Sequence, residues 1–294
     1  MASFGHGFWH ASRLRGCRRP QEGPATPVRI VEDLGASHAW RLHRAELPGG
    51  RPAFVKTGRV NLLFTSEAAG LRWLGEAGAV AVPEVIEASD DRLVLSWVET
   101  ARPGPEAAER FGRDLARMHG AGAAGFGAPW PGFIAELPMD NAPADDWPSF
   151  YASRRVLPFV RRARDEGWLD AGDAALLDRV CSRMADIAGP GEPPSRIHGD
   201  LWSGNVLWSA DGAVLVDPAA HGGHRETDLA MLGLFGAPHL DRILTAYAEE
   251  SPPAAGWRER VPLHRLHPLL VHVCLYGRAY RDGLLAAAAR CLGI

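Results

Sequence analysis

The sequence predicts an α+β fold of two unequal lobes, and three observations on its 294 residues carry that expectation. Strand-like alternation and short glycine turns crowd into residues 28–99, around a single amphipathic helical run. After "TARPGPE", residues 100–106, apolar side chains recur mainly at helical spacing towards the C-terminus. One strand pair, marked by Asp211-Gly212 between two apolar runs, interrupts that helical half. The expected organisation is a flexible extension over 1–27, a small nucleotide-binding sheet lobe over 28–99, a linker over 100–106 and a helical, catalytic lobe over 107–294.

Each element has its own signal. "MASFGHGFWHASRLRGCRRP" carries four arginines and no acid and lacks the apolar stretch of a secretory signal, so a flexible extension fits it better than a transit peptide. "VRIVEDLG" ends on a glycine turn, "AWRLHRAEL" alternates, and Pro48 to Gly50 turn the chain into "RPAFVK". "TSEAAGLRWLGEAG" reads as a helix with Thr65 or Ser66 as N-cap and Gly78 just past its end. Leu71 and Leu74 mark its buried face, and Glu67 shares that face, so this carboxylate points inward. "AVPEVIEA" and "DRLVLSWVE" complete the sheet. In the second half "EAAERFGRDLARMHG" puts Phe111, Leu115 and Met118 on one stripe and stops at Gly120. Helices are expected over 148–168 and 171–187, then a break at "GPGEPPS", a strand pair over 205–217 and further helices.

Composition narrows the function. A hydrophobic share of 46%, a charged share of 23% and a net charge of −3 describe an ordinary globular chain without the basic excess of a nucleic-acid binder. No apolar run approaches the roughly 20 residues of a membrane span. Cys17, Cys181, Cys274 and Cys291 show no paired spacing, which points to reduced thiols in the cytoplasm. The 32 Lys and Arg residues include one lysine, Lys56. A GC-rich genome accounts for scarce lysine but not for the one that is kept.

Two motif-like stretches fail on context. "GAGAAG", Gly120 to Gly125, spells a dinucleotide fingerprint, yet it follows a helix and runs into "FGAPWPGF", which cannot open one. "VKT" lacks the glycine that a phosphate-wrapping loop needs before its lysine; Val55 stands there, inside a strand.

The segment that carries chemistry is "RIHGDLWSGNVLWSADGAVLVDPAAHGGHRETDLAML". With Asp211-Gly212 as a type I′ turn, Ala210 faces Ala213 and Val206 faces Asp217, which brings Asp217 beside Asn205. Asp200 lies five residues before Asn205, in a loop loosened by Gly199 and Gly204. A hard magnesium ion takes oxygen ligands such as Asn205 and Asp217, and Asp200 is then free to accept the proton of an attacking hydroxyl. A strand lysine that holds phosphates and pairs with a helix glutamate belongs to the same scheme, and Lys56 and Glu67 stand in the right elements and order. A lone His-Gly-Asp is a turn and a lone strand-ending Asp a cap; the joint spacing selects phosphoryl transfer.

"HGDLWSGNVLW", "VDPAAHGGHRETDLAML" and "HPLLVHVCLYGRAY" resemble the fructosamine kinase (ketosamine 3-kinase) family, within the aminoglycoside-phosphotransferase-like kinases, from about residue 28 to the C-terminus. The resemblance implies a two-lobed protein-kinase-like fold and ATP- and Mg2+-dependent phosphorylation of the 3-hydroxyl of a ketoamine, whose unstable product releases the amine. It implies Asp200 as catalytic base, Asn205 and Asp217 as magnesium ligands, Lys56 and Glu67 as the phosphate-anchoring pair, His198 and Asp228 as supports of the catalytic loop, and Trp202 in the sugar pocket. His272 and Arg155 match family positions, with core or ion-pair roles equally open. The strand "LVLSWVE" is expected to offer backbone groups to adenine. The turn "LGASHAW" has one glycine where such loops often have several, and no cysteine for redox-linked dimers. The ketoamine, free or protein-bound, and the choice between monomer and homodimer stay open. The close alternative is another small-molecule kinase, for an aminoglycoside, choline or a sugar; a polycationic acceptor would use acids such as Glu136, Asp140, Asp145 and Asp146. A pseudokinase would have lost the base, a metal ligand or the lysine, and this chain keeps all of them.

Overall fold

Side-chain alternation over residues 29–57 builds three antiparallel strands in the computed structural model, which describes residues 26–294. These are β1 (Arg29–Ser37), β2 (Trp40–Glu46) and β3 (Pro52–Thr57); α1 (Leu63–Gly75), β4 (Val85–Ala88) and β5 (Arg92–Ser96) follow. The sheet order is β1-β2-β3-β5-β4, which makes β3 the central strand. Ala53 and Val55 are buried on one face of it with Ala45 and Val94. Phe54 and Lys56 take the other face, which α1 covers with Phe64, Ala68 and Leu71. The exposed edge strand β1 is charged, with Arg29 paired to Glu46 of β2 and Asp33 to Arg41, a composition that discourages edge-to-edge pairing.

Two boundaries differ from expectation. Helix α1 begins at Leu63 rather than behind Thr65 or Ser66, because Asn61 and Leu62 adopt left-handed φ of 31° and 60° and bring the chain into the helix early. Thr65 Oγ1 donates back to the Leu62 carbonyl at 2.9 Å instead of capping. At the N-terminus the chain is already tied down at Thr26, whose N–H donates to Glu87 Oε2 at 2.6 Å and whose carbonyl accepts from Arg92 at 3.2 Å. The remainder of the expected extension, with Cys17, lies outside the described residues.

The larger lobe contains α2 (Pro105–Gly120), β6 (Gly132–Ile134), β7 (Leu137–Met139), α3 (Trp147–Phe150), a π-helical turn (Tyr151–Val156), α4 (Leu157–Asp165), α5 (Ala171–Ser182) and α6 (Met184–Ile187). Then come β8 (Ser195–Ile197), β9 (Val206–Ser209), β10 (Gly212–Leu215), β11 (His221–Gly223), α7 (Arg225–Leu232), α8 (Leu240–Glu250), α9 (Trp257–His264), α10 (Leu266–Tyr276) and α11 (Arg281–Leu292). Helix α2 starts inside the expected linker, because Pro105 at its first turn gives up no needed N–H. The expected 148–168 helix is α3 and α4 joined through the π turn. The β6–β7 hairpin and the β8–β11 pair stand where no strands were expected. Among the described residues no helix is long and apolar enough to cross a membrane.

Helices α2 and α8 meet at Gly112, where an added Cβ would lie 2.3 Å from the Ile243 carbonyl oxygen and 3.0 Å from the Tyr247 nitrogen. Both neighbours are helix backbone and cannot yield cheaply. Gly112→Ala is expected to cost about 1–3 kcal/mol by overpacking, read as a lower denaturant midpoint with an unchanged slope.

The β9–β10 hairpin corrects the expected register. Ser209 pairs with Gly212 and Val206 with Leu215, so the turn residues are Ala210 and Asp211. Neither has positive φ, so the turn is not type I′. Ser209 Oγ accepts from the Asp211 N–H at 3.3 Å and donates to the Gly212 carbonyl at 3.1 Å, fixing the turn one residue earlier than a hairpin centred on Asp211-Gly212. Asp217 still reaches Asn205, because the Val216 N–H donates to the Asn205 carbonyl at 3.1 Å.

Candidate active site

The cleft between the lobes gathers the residues that the sequence singled out, Lys56, Glu67, Asp200, Trp202, Asn205 and Asp217. Lys56 is 2% exposed. Its Nζ donates to both Glu67 oxygens at 2.9 Å and also contacts Asp217 Oδ1. The Trp40 ring lies 5.9 Å away. Burial works against the Lys56 charge, but the Asp217 and Glu67 carboxylates outweigh it and raise the ammonium above its ordinary range. Burial pushes Glu67 upward, with Lys56 opposing. Desolvation would raise Asp217 as well; its side chain is half exposed, so the Lys56 contact dominates and holds it low. Asp217 has φ of 53°, a left-handed conformation that a non-glycine residue keeps only where its surroundings impose it.

Asp200 is held from both sides. The Asn205 amide donates to its main-chain carbonyl at 2.9 Å and to Oδ2 at 3.0 Å. No donor among the described residues engages Asn205 Oδ1, so this oxygen remains an acceptor. Burial pushes the Asp200 carboxyl up to about 7, against the Asn205 hydrogen bond and with help from the Asp217 and Asp228 charges. His198 Nδ1 accepts from the Asp200 N–H at 3.2 Å, which leaves Nε2–H to donate to the Val216 carbonyl at 2.9 Å. The imidazole is therefore neutral and bridges the Asp200 loop to the strand before Asp217; burial lowers its pKa. Gly199, at φ of 81°, leaves no room for a Cβ, which would sit 2.4 Å from the Ala219 carbonyl oxygen.

Asp228 is fully buried and accepts the His198 N–H at 2.7 Å and the Gly199 N–H at 3.0 Å. His119 Nε2, at 3.1 Å, completes its shell, and Tyr247 OH lies 2.8 Å from the other ring nitrogen. Burial would raise the Asp228 pKa, but these partners keep it low. Asp228→Ala leaves several buried polar groups unpaired at once. It is expected to cost about 3 kcal/mol or more, measured by denaturant unfolding.

Sequence reasoning missed His119 and left the role of Arg155 open between core and ion pair. His119 passed for the end of a helix, because its contact with Asp228 spans more than a hundred residues. Arg155 is 1% exposed and has no carboxylate partner among the described residues. It donates to the Asp140 carbonyl and to Asn141 Oδ1, each at 2.7 Å, and its guanidinium lies 4.5 Å from the Phe150 ring centroid. Burial pulls its pKa down to about 9. Asn141 in turn donates to the Trp130 carbonyl at 3.3 Å, and residues 130–135 form one wall of the cleft. Arg155 thus fixes that wall from inside the lobe. A separate buried group, His224, Glu226 and His264, has ligand-like spacing, but Arg260 already pairs with both Glu226 oxygens at 2.6 and 2.9 Å.

Oxygen donors at Asn205 and Asp217, with the strained backbone at Asp217, fit a hard divalent cation such as magnesium. A carboxylate, a carboxamide and a second carboxylate opposite a buried ammonium can orient a hydroxyl, bind phosphate and accept a proton. The family model for fructosamine kinase matches residues 31–293. A Thermus thermophilus protein named probable ketoamine kinase is 34% identical over 277 residues, 93% of this chain and 96% of its own. A chloroplastic protein-ribulosamine 3-kinase from Arabidopsis thaliana is 29% identical over 90% of this chain and 83% of its own. A crystal structure from Thermobifida fusca, described as a candidate fructosamine-3-kinase, superposes with a TM-score of 0.88 at 54% identity, covering 92% of this chain and 95% of its own. Solved macrolide and choline/ethanolamine kinases share the two-lobed protein-kinase-like fold at 16–17% identity, a likeness of fold alone.

Proposed function

The chain belongs to the fructosamine kinase family of phosphotransferases that act on hydroxyl groups, and we propose that it phosphorylates the 3-hydroxyl of a ketoamine with Mg-ATP. The observation that carries this reading is the meeting of Asp200, Asn205 and Asp217 opposite the Lys56–Glu67 pair, with Trp202 in the same cleft. Asp200 orients the acceptor hydroxyl and takes its proton as the oxygen bonds to the γ-phosphorus. The bond from that phosphorus to the β-bridging oxygen breaks, and ADP leaves. Lys56, held by Glu67, positions the α- and β-phosphates. Asn205 Oδ1 and the Asp217 carboxylate hold magnesium, which neutralises charge on the transferring phosphoryl group when bound. Val98 and Glu99, just past β5, make no main-chain hydrogen bond within the described residues, which suits the expected adenine contacts. Trp202 offers its face to the sugar. The phosphorylated ketoamine is unstable and releases its amine, so the outcome is deglycation. Free Cys181, Cys274 and Cys291 support a reducing, cytoplasmic setting.

Two of the four acids that a polycationic acceptor would use are already engaged nearby. Asp146 caps α3 through the Ser149 N–H at 2.7 Å, and Asp140 accepts the Ala142 N–H at 2.8 Å and pairs with Arg154. The test is ADP release on fructosamine and ribulosamine acceptors against an aminoglycoside panel. Turnover is expected on ketoamines; turnover on aminoglycosides alone would reject the proposal.

A further inference from the structure

An aromatic surface continues outward from Trp202. The Trp202 ring lies edge-on to Phe235 at 6.2 Å between centroids. Phe235 lies 4.9 Å from His272 and 6.5 Å from Tyr280, and Tyr276 lies 5.6 and 5.9 Å from the same two rings. Three separate stretches of chain supply these five rings: the Asp200 loop, the segment after α7, and the end of α10 with its following turn. Trp202, Phe235 and Tyr276 are 39%, 42% and 55% exposed, three of the nine large apolar side chains exposed among the described residues.

Burying a side chain of this size is worth about 1.5–3 kcal/mol, so a contiguous group left open marks a binding surface rather than incidental exposure. No cation among the described residues sits over these rings; those that sit over aromatic rings cover Trp40, Trp73, Trp97, Phe150 and Trp257.

The chemistry of the acceptor says what reaches this surface. In a ketoamine the nitrogen is on C1, three bonds from C3, so it stays within about 4 Å of the reacting carbon at ordinary bond lengths. With the 3-hydroxyl at Asp200 and the sugar against Trp202, the nitrogen substituent leaves the cleft along the rings beyond. The nitrogen is a protonated secondary amine, and an ammonium is attracted to aromatic faces. We propose that Phe235, Tyr276 and Tyr280 form the subsite for the amine half of the acceptor, and that it selects small ketoamines with an apolar alkyl or aryl substituent. This subsite rests on the ketoamine reading.

The test uses three ketoamines of one sugar, made from methylamine, hexylamine and benzylamine. In the wild-type protein kcat/KM is expected to rise by about tenfold or more from the methyl to the hexyl and benzyl compounds, the discrimination that a few apolar carbons provide. In Phe235→Ala and Tyr276→Ala that ratio should fall towards one. Both side chains are partly exposed, and melting temperatures will show that the variants are folded. Equal kcat/KM for all three compounds in the wild type, or a preference that survives in both variants, would overturn the subsite and leave the ketoamine reading standing. Failure to phosphorylate any of the three would defeat both.

Discussion

Asp200→Asn is expected to lower turnover by about 10²–10⁴-fold while ATP binding is retained, the loss typical of removing a positioned general base. The change is nearly isosteric and keeps the local structure. Asn205 reaches the main-chain carbonyl of residue 200 as well as its side chain, at 2.9 and 3.0 Å, and an amide oxygen accepts as a carboxylate does. His198 contacts the main-chain N–H of residue 200, which the substitution does not touch. What disappears is the capacity to take a proton. Steady-state turnover beside ATP affinity from calorimetry separates the two effects. Turnover close to wild type in this variant would remove Asp200 from the role of base.

Lys56→Arg is expected to reduce kcat/KM by about 10²-fold or more with the melting temperature little changed, the scale on which a displacement of about 1 Å acts in a positioned site. Charge is conserved in this substitution, so any effect reports shape. The Nζ directs its hydrogens to two Glu67 oxygens and one Asp217 oxygen around a single point, in a site 2% exposed. A guanidinium is planar, wider and set back from its stem, and it presents a fixed fork. It cannot occupy that point without moving Glu67 or Asp217, and it would meet the phosphates from the wrong position. Near-normal turnover would show that position 56 supplies charge alone. Within a chain that otherwise uses arginine, this is the physical case for its single lysine.

The sheet lobe was legible because β3 and α1 are long enough to show their periods, and because Glu67 falls on the same helical stripe as Leu71 and Leu74. Asp200 and Asn205 were legible from local spacing, and Asp217 reached Asn205 even though the hairpin register between them was set by Ser209 rather than by Asp211-Gly212. The β6–β7 and β8–β11 pairs were not legible, since three-residue strands such as His221–Gly223 show no alternation. His119, and the part that Arg155 plays, were hidden for another reason. Their roles come from partners distant in sequence or from main-chain carbonyls, and neither leaves a pattern among its neighbours. The start of α1 was misplaced because Asn61 and Leu62 take a backbone conformation that their side chains do not advertise.

The contact between Lys56 and Asp217 joins the central strand of one lobe to the segment after β10 in the other. On the proposed function it would act as a counter-ion exchange point: Mg-ATP would give Asp217 a stronger cation and Lys56 a stronger anion, so one internal ion pair would be traded for two external ones of the same sign pattern. The buried Lys56 ammonium is shared between Glu67 and Asp217, so each of these charges has an internal partner. Nucleotide affinity would then be a difference between two well-satisfied states, and neutralising Asp217 is expected to disturb the Lys56 contact as well as any nucleotide complex.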